Sequence, residues 1–104
     1  MSHQRDGFVY FIASGQKVKG KTYIKIGWAC DVQRRLRGLQ VGNPEPLVLL
    51  HEIPGDRALE RELHRRFWRY RIDEKSEWFE AGPVTAYLGE LGAFSDTVRS
   101  TVAA

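Results

Sequence analysis

Two short apolar runs stand close together near the start of the chain, Val9-Tyr10-Phe11-Ile12 and, about a dozen residues later, Tyr23-Ile24-Lys25-Ile26-Gly27. The polar, Gly- and Lys-containing connection between them, Ser14 to Lys21, predicts an antiparallel hairpin with strands over 8–13 and 22–28. Side chains alternate along a strand, so Tyr10 and Ile12 share one face, and Tyr23, Lys25 and Gly27 share one face of the second strand. An arginine-rich segment containing Arg35 follows directly. A tyrosine, a lysine and an arginine can therefore gather beside a glycine that leaves space for a ligand.

The rest of the chain supplies what a hairpin needs to bury its apolar face. Asp31 is an N-cap candidate for a helix to about Val41 whose core stripe is Val32, Leu36 and Leu39. Gly42-Asn43-Pro44-Glu45-Pro46 stops it, and Leu47 to Ile53 reads as a third, largely buried strand. Asp56 opens a second helix to about Tyr70, with Leu59, Leu63, Phe67 and Tyr70 on one face. Trp78-Phe79 closes a corner of the core or adds a short edge strand, and Pro83 suits the first turn of a third helix carrying Val84, Tyr87, Leu88 and Leu91. These 104 residues make one domain over 1–92, followed by a loosely held tail over 93–104.

Sixteen Lys and Arg against thirteen Asp and Glu give a net charge of +3, too small to define a partner if spread evenly. It is concentrated instead, in Arg34, Arg35 and Arg37 and in Arg57, Arg61, Arg65, Arg66, Arg69 and Arg71. Solvated helix faces are one reading and an anionic partner the other. The single cysteine, Cys30, excludes an intramolecular disulfide, and His3, His51 and His64 form no zinc-ligand spacing. No apolar run reaches signal-peptide or membrane-span character, so a cytoplasmic location is expected and a membrane partner is not.

Three groups of residues suit chemistry. Arg35 lies at the border of the first helix's apolar stripe, where it either snorkels to solvent or aims its planar fork at a phosphate near the hairpin. Glu60 and His64, four apart on the second helix, stack one turn above the other beside the core, as a surface pair worth a few tenths of a kcal/mol or as part of a single-carboxylate Mg²⁺ site. Lys25, on the face opposite Ile24 and Ile26, faces either solvent or a polar site in which it accepts a proton or polarises a tyrosine hydroxyl. Tyr10 and Tyr23 have the ordinary alternative of an apolar ring with a wet tip.

In order and spacing, the Tyr10 strand, Lys25-Ile26-Gly27, Arg35 and Glu60 together resemble the GIY-YIG nuclease superfamily over about residues 8 to 80. Lys25-Ile26-Gly27 in place of Tyr-Ile-Gly, Leu39 to Pro44, Ala58-Leu59-Glu60 to Leu63-His64 to Phe67, and Glu77-Trp78-Phe79 look like its short phage-type branch. The resemblance implies an α+β fold, a small three-stranded antiparallel sheet flanked by about three helices. It also implies hydrolysis of DNA phosphodiester bonds with one divalent metal, Mg²⁺ or Mn²⁺. Carried over, Tyr10 takes the first motif's tyrosine, Arg35 steadies the attacked phosphate and Glu60 binds the metal. Lys25 stands where the second motif has tyrosine, so Lys25 or same-face Tyr23 takes its place, and His64 is the available proton carrier. Arg34, Arg37, Arg61 and Arg65 would contact backbone phosphates. DNA is the expected partner, with RNA left open and a recruiting protein or second copy of the chain supplying targeting. Two rivals remain: an inactive nucleic-acid-binding domain of the same fold, and a protein-interaction module using Trp28, Trp68 and Trp78.

Overall fold

The first apolar run is buried on both of its faces, which makes it a central strand. The computed structural model describes residues 7–92. In it β1 (Phe8–Ser14) and β2 (Tyr23–Ala29) pair antiparallel with Tyr10 opposite Gly27 and Ile12 opposite Lys25. β3 (Leu47–Pro54) adds antiparallel to the far side of β1, and β4 (Trp78–Glu80) adds antiparallel to β2. The result is a four-stranded antiparallel sheet in the order β3-β1-β2-β4, with three helices, an α+β fold. The sheet thus has one strand more than the three expected, because Trp78-Phe79 takes the edge-strand option rather than only closing a corner.

The connection between β1 and β2 is itself a small hairpin. Val18 and Lys21 exchange backbone hydrogen bonds of 2.9 and 3.0 Å around Lys19 and Gly20, whose φ values are 54° and 80°. Two consecutive positive φ angles are the mark of the type I′ turn, whose twist matches the strands it joins.

Helices cover the two faces unequally. α1 (Val32–Val41), capped by Asp31 accepting from the Arg34 amide at 3.0 Å, packs Val32, Leu36 and Leu39 on the face of Tyr10 and Ile12. α2 (Arg57–Arg66), capped by Asp56 accepting from the Leu59 amide at 3.2 Å, and α3 (Ala81–Glu90) cover the other face. There Val9, Phe11, Ile24, Ile26 and Phe79 meet Leu63, Phe67, Val84 and Leu88. No helix among the described residues is long and apolar enough to cross a membrane.

Three expectations are corrected by long-range geometry. β3 is not largely buried: it is an edge strand bonded only to β1, and Leu47 is its one buried residue. α2 ends at Arg66 rather than near Tyr70, because Phe67 adopts φ −108°, ψ 14° and the chain passes into a 3₁₀ turn, Trp68–Tyr70. Tyr70, placed by helical spacing on the buried face, is therefore exposed. Trp28 is core, 8% exposed, with its indole N–H donating to the Gly55 carbonyl at 2.8 Å, so it offers no surface to a protein partner. The tail over 93–104 lies outside the described residues.

Candidate functional site

The site is organised by the point where β4 stops. Beyond Lys25 opposite Trp78, the edge of β2 makes one further backbone hydrogen bond to the segment before β4 among the described residues, from the Ile26 amide to the Glu77 carbonyl at 3.0 Å. The N–H and C=O of one residue point to the same side of an antiparallel strand. Ile26 therefore directs its carbonyl to the same edge, and His64 from α2 meets it, Nε2 to carbonyl oxygen 2.8 Å. A carbonyl only accepts, so Nε2 carries the proton in this arrangement. The imidazole is further held against Phe79, ring centroids 5.2 Å apart.

Glu60, one turn before His64 on α2, is 8% exposed. Its carboxylate makes no hydrogen bond among the described residues. It has contacts in ion-pair range only, Oε1 to Arg57 Nη1 at 3.8 Å and Oε2 to His64 Nε2 at 3.9 Å. Glu77, just before β4, completes the group: one ligand atom each from Glu60, His64 and Glu77 lie within 4.8 Å of one another. Two oxygens across an octahedral Mg²⁺ are about 4.2 Å apart, twice a bond of about 2.1 Å. Small side-chain adjustments bring the two carboxylate oxygens to that span, and a pair of carboxylates suits Mg²⁺ or Mn²⁺ better than a soft metal.

Lys25 leaves the strand on the α1 face and reaches Glu77, Nζ to Oε1 2.9 Å. Its side chain is 14% exposed against 44% for Glu77, and its ammonium lies 5.9 Å from the centre of the Trp78 ring. This corrects the expectation that Lys25 accepts a proton, since an ammonium bonded to a carboxylate is a donor. The pair leaves Glu77 Oε2 free for a cation.

On the α1 face, the buried Tyr10 lies across Gly27, and a Cβ built on Gly27 falls within 2.3 Å of the tyrosine hydroxyl. Glycine is required here by the close approach of the ring. The exposed Arg35 brings Nη1 to 3.5 Å from the Tyr10 hydroxyl and 3.4 Å from the Trp28 carbonyl. Both are long contacts that leave the guanidinium able to turn toward an anion. It lines a cavity of about 450 Å³ with Arg34, Asp31 and Cys30.

The sequence-predicted residues thus fall into two groups flanking residues 25–28 of β2: Tyr10 with Arg35 on the α1 face, and Lys25 with Glu60 and His64 around the open edge. Tyr23 joins neither, being four residues and about 13 Å along the strand from Gly27. Glu77 was not singled out for a role from the sequence. An acid directly before the apolar pair of a short edge strand was the available signal.

Fold and site together describe a small α+β domain with an acidic, histidine-bearing cluster at a sheet edge and an arginine on the adjoining face. The family model that matches the chain is that of the T5orf172 domain, over residues 7–100. The chain belongs to the T5orf172 domain family. This corrects the resemblance to the GIY-YIG superfamily drawn from short motifs: the matching family is a different one, and no GIY-YIG model matches. The motifs are a few residues each, whereas the family match extends over nearly the whole chain. Searches of curated proteins and of solved structures gave no match.

Proposed function

We propose that the domain hydrolyses phosphodiester bonds in DNA with one Mg²⁺ or Mn²⁺ held by Glu60 and Glu77. The observation that carries this reading is the convergence of Glu60, His64 and Glu77 ligand atoms within 4.8 Å at an open sheet edge. A buried carboxylate with no hydrogen bond among the described residues has unused acceptor capacity, which a divalent cation would use. Bound there, a divalent ion would neutralise charge on the phosphoryl oxygens and favour deprotonation of water.

The protein groups then have separable tasks. Arg35 turns its fork to the attacked phosphate and offsets charge growing in the transition state. Tyr10, fixed over Gly27, holds Arg35 in reach. Lys25 orients Glu77 by holding Oε1. In its imidazolium form His64 gives the Nε2 proton to the leaving oxygen, releasing the Ile26 carbonyl and remaining a neutral imidazole protonated at Nδ1. The exposed and unpaired Cys30 suits a reducing, cytoplasmic setting.

Purified protein incubated with supercoiled plasmid and Mg²⁺ or Mn²⁺ tests this reading. Nicking is expected to fall on the order of 10²- to 10³-fold in Glu60→Gln and in Arg35→Ala. Equal nicking by parent and variants rejects these roles. One observation favours a second reading, binding of nucleic acid without cleavage: the Lys25 ammonium 2.9 Å from Glu77 already provides a resident cation. Salt-sensitive DNA binding with no cleavage under any metal selects that reading.

A further inference from the structure

The α1 face of the sheet is only partly roofed. α1 packs over Tyr10 and Ile12 of β1, Leu47 of β3 and Ala29 at the far end of β2, and Trp78 borders the same cluster. Tyr23, Lys25, Trp78 and Glu80 occupy the β2–β4 side of that same face, by alternation and by the pairing of Lys25 with Trp78 and Tyr23 with Glu80. Tyr23 and Trp78 line a groove there of about 200 Å³, closed by Ile72 and by the polar side chains of Ser14, Gln16 and Asn43. That volume is below the roughly 300–1,000 Å³ of a pocket for a drug-sized ligand, and suits one planar ring system.

The polar lining is oriented. Asn43 Oδ1 accepts from the Glu45 amide at 3.0 Å, so its NH₂ group is left to donate to a ligand. Ser14 Oγ accepts from the Gln16 amide at 3.2 Å and keeps its own proton to donate. The hairpin connection bordering the groove carries Lys17 and Lys19, both exposed and with no acidic partner among the described residues. Aromatic walls and carbonyl-seeking donors complement a nucleobase, and the lysines of the adjoining connection add positive charge for its phosphate backbone.

We infer that this groove between Tyr23 and Trp78 binds an unpaired base of single-stranded DNA, a short distance along the strand from the phosphate that Arg35 and the Glu60–Glu77 cluster engage. The inference rests on the reading of that cluster as acting on DNA, and it specifies the substrate as single-stranded or locally unpaired. Trp78 links the two places, since its ring lies beside Lys25, which holds Glu77. A base inside a duplex has both faces covered by its neighbours and cannot enter such a groove, so pairing excludes it.

The test is binding of the whole chain to a fluorescent eight-residue oligothymidylate and to a short duplex, by anisotropy in EDTA. Tyr23→Ala is expected to weaken single-strand binding between about 5- and 150-fold, the worth of one stacked base. Duplex binding should change less than about twofold, within the small effect of a surface substitution. Tyr23→Phe keeps the ring and is expected to retain affinity. Asn43→Asp, which preserves the bond from the Glu45 amide but removes the donor, is expected to lose it. The inference is overturned if the parent does not bind the single strand, if Tyr23→Ala leaves its affinity unchanged or weakens both ligands equally, or if Tyr23→Phe loses as much as Tyr23→Ala. Because no metal is present, a failure to cleave plasmid bears on hydrolysis alone, and unchanged oligothymidylate binding bears on the groove alone.

Discussion

Gly27 shows how one missing methyl group arranges a site. With Tyr10 directly across the strand pair, its ring occupies the space any side chain at 27 would take, and Arg35 meets the hydroxyl that results. Gly27→Ala places Cβ within 2.3 Å of that hydroxyl, deep enough in the core that the ring cannot swing out. Such overpacking is expected to destabilise by about 1–3 kcal/mol, seen as a lower urea midpoint. An unchanged midpoint would mean that the ring is displaced at no cost. Glu60→Gln should separate binding from stability: its affinity for Mn²⁺ by calorimetry falls at least about tenfold, while its unfolding midpoint stays near the parent's because the carboxylate has no hydrogen bond to lose.

Among the elements, the β1–β2 connection carries the clearest local strain. Lys19 sits at φ 54°, a conformation that costs a side-chain-bearing residue about 1–2 kcal/mol, followed by Gly20 at φ 80°, where glycine pays nothing of the kind. Lys19→Asn makes the pair Asn-Gly, the preferred type I′ sequence, and is expected to raise the thermal midpoint, by up to about 1 kcal/mol in stability. No rise would argue against the turn type. Asp56→Ala removes the side-chain acceptor for the Leu59 amide, leaving only the Asp56 carbonyl, and should cost about 1 kcal/mol in the same measurement. Both caps are readable from the chain because they depend on residues three apart. The end of α2 was not, since Phe67, Trp68 and Tyr70 continue a helical spacing that only the turn at Phe67 interrupts.

For the molecule as a whole, the two arginine clusters overstate the free positive charge. Arg57 lies 4.7 Å from the centre of the Trp28 ring, and Arg66 lies over Tyr87 at 4.8 Å and near Glu90 at 3.9 Å. Arg69 flanks the Trp68 ring, and Arg71 donates to the Glu74 carbonyl at 2.9 Å. Arg61 and Arg65, one turn apart and exposed, have no such partner among the described residues, and neither do Arg34 and Arg37 on side chains. Arg61→Ala and Arg65→Ala are therefore expected each to reduce the slope of log K against log salt for DNA by about 0.7–0.9. Arg71→Ala should leave that slope unchanged and lower the melting temperature instead. A slope indifferent to Arg61 and Arg65 would place the DNA elsewhere.

The hairpin, the three helices and the identity of Glu60, His64 and Arg35 as candidates could be recognised in the chain, because alternation, helical spacing and caps are properties of neighbouring residues. That Glu77 meets Glu60, that Lys25 is bound to Glu77, and that Trp28 is core could not. The first two depend on β4 pairing with β2 across about fifty residues and stopping at Lys25, and the third on the Gly55 carbonyl that accepts from the Trp28 indole. Hydrogen bonds between distant strands decide where an edge opens, and the opening of that edge is what turns separate polar side chains into a site.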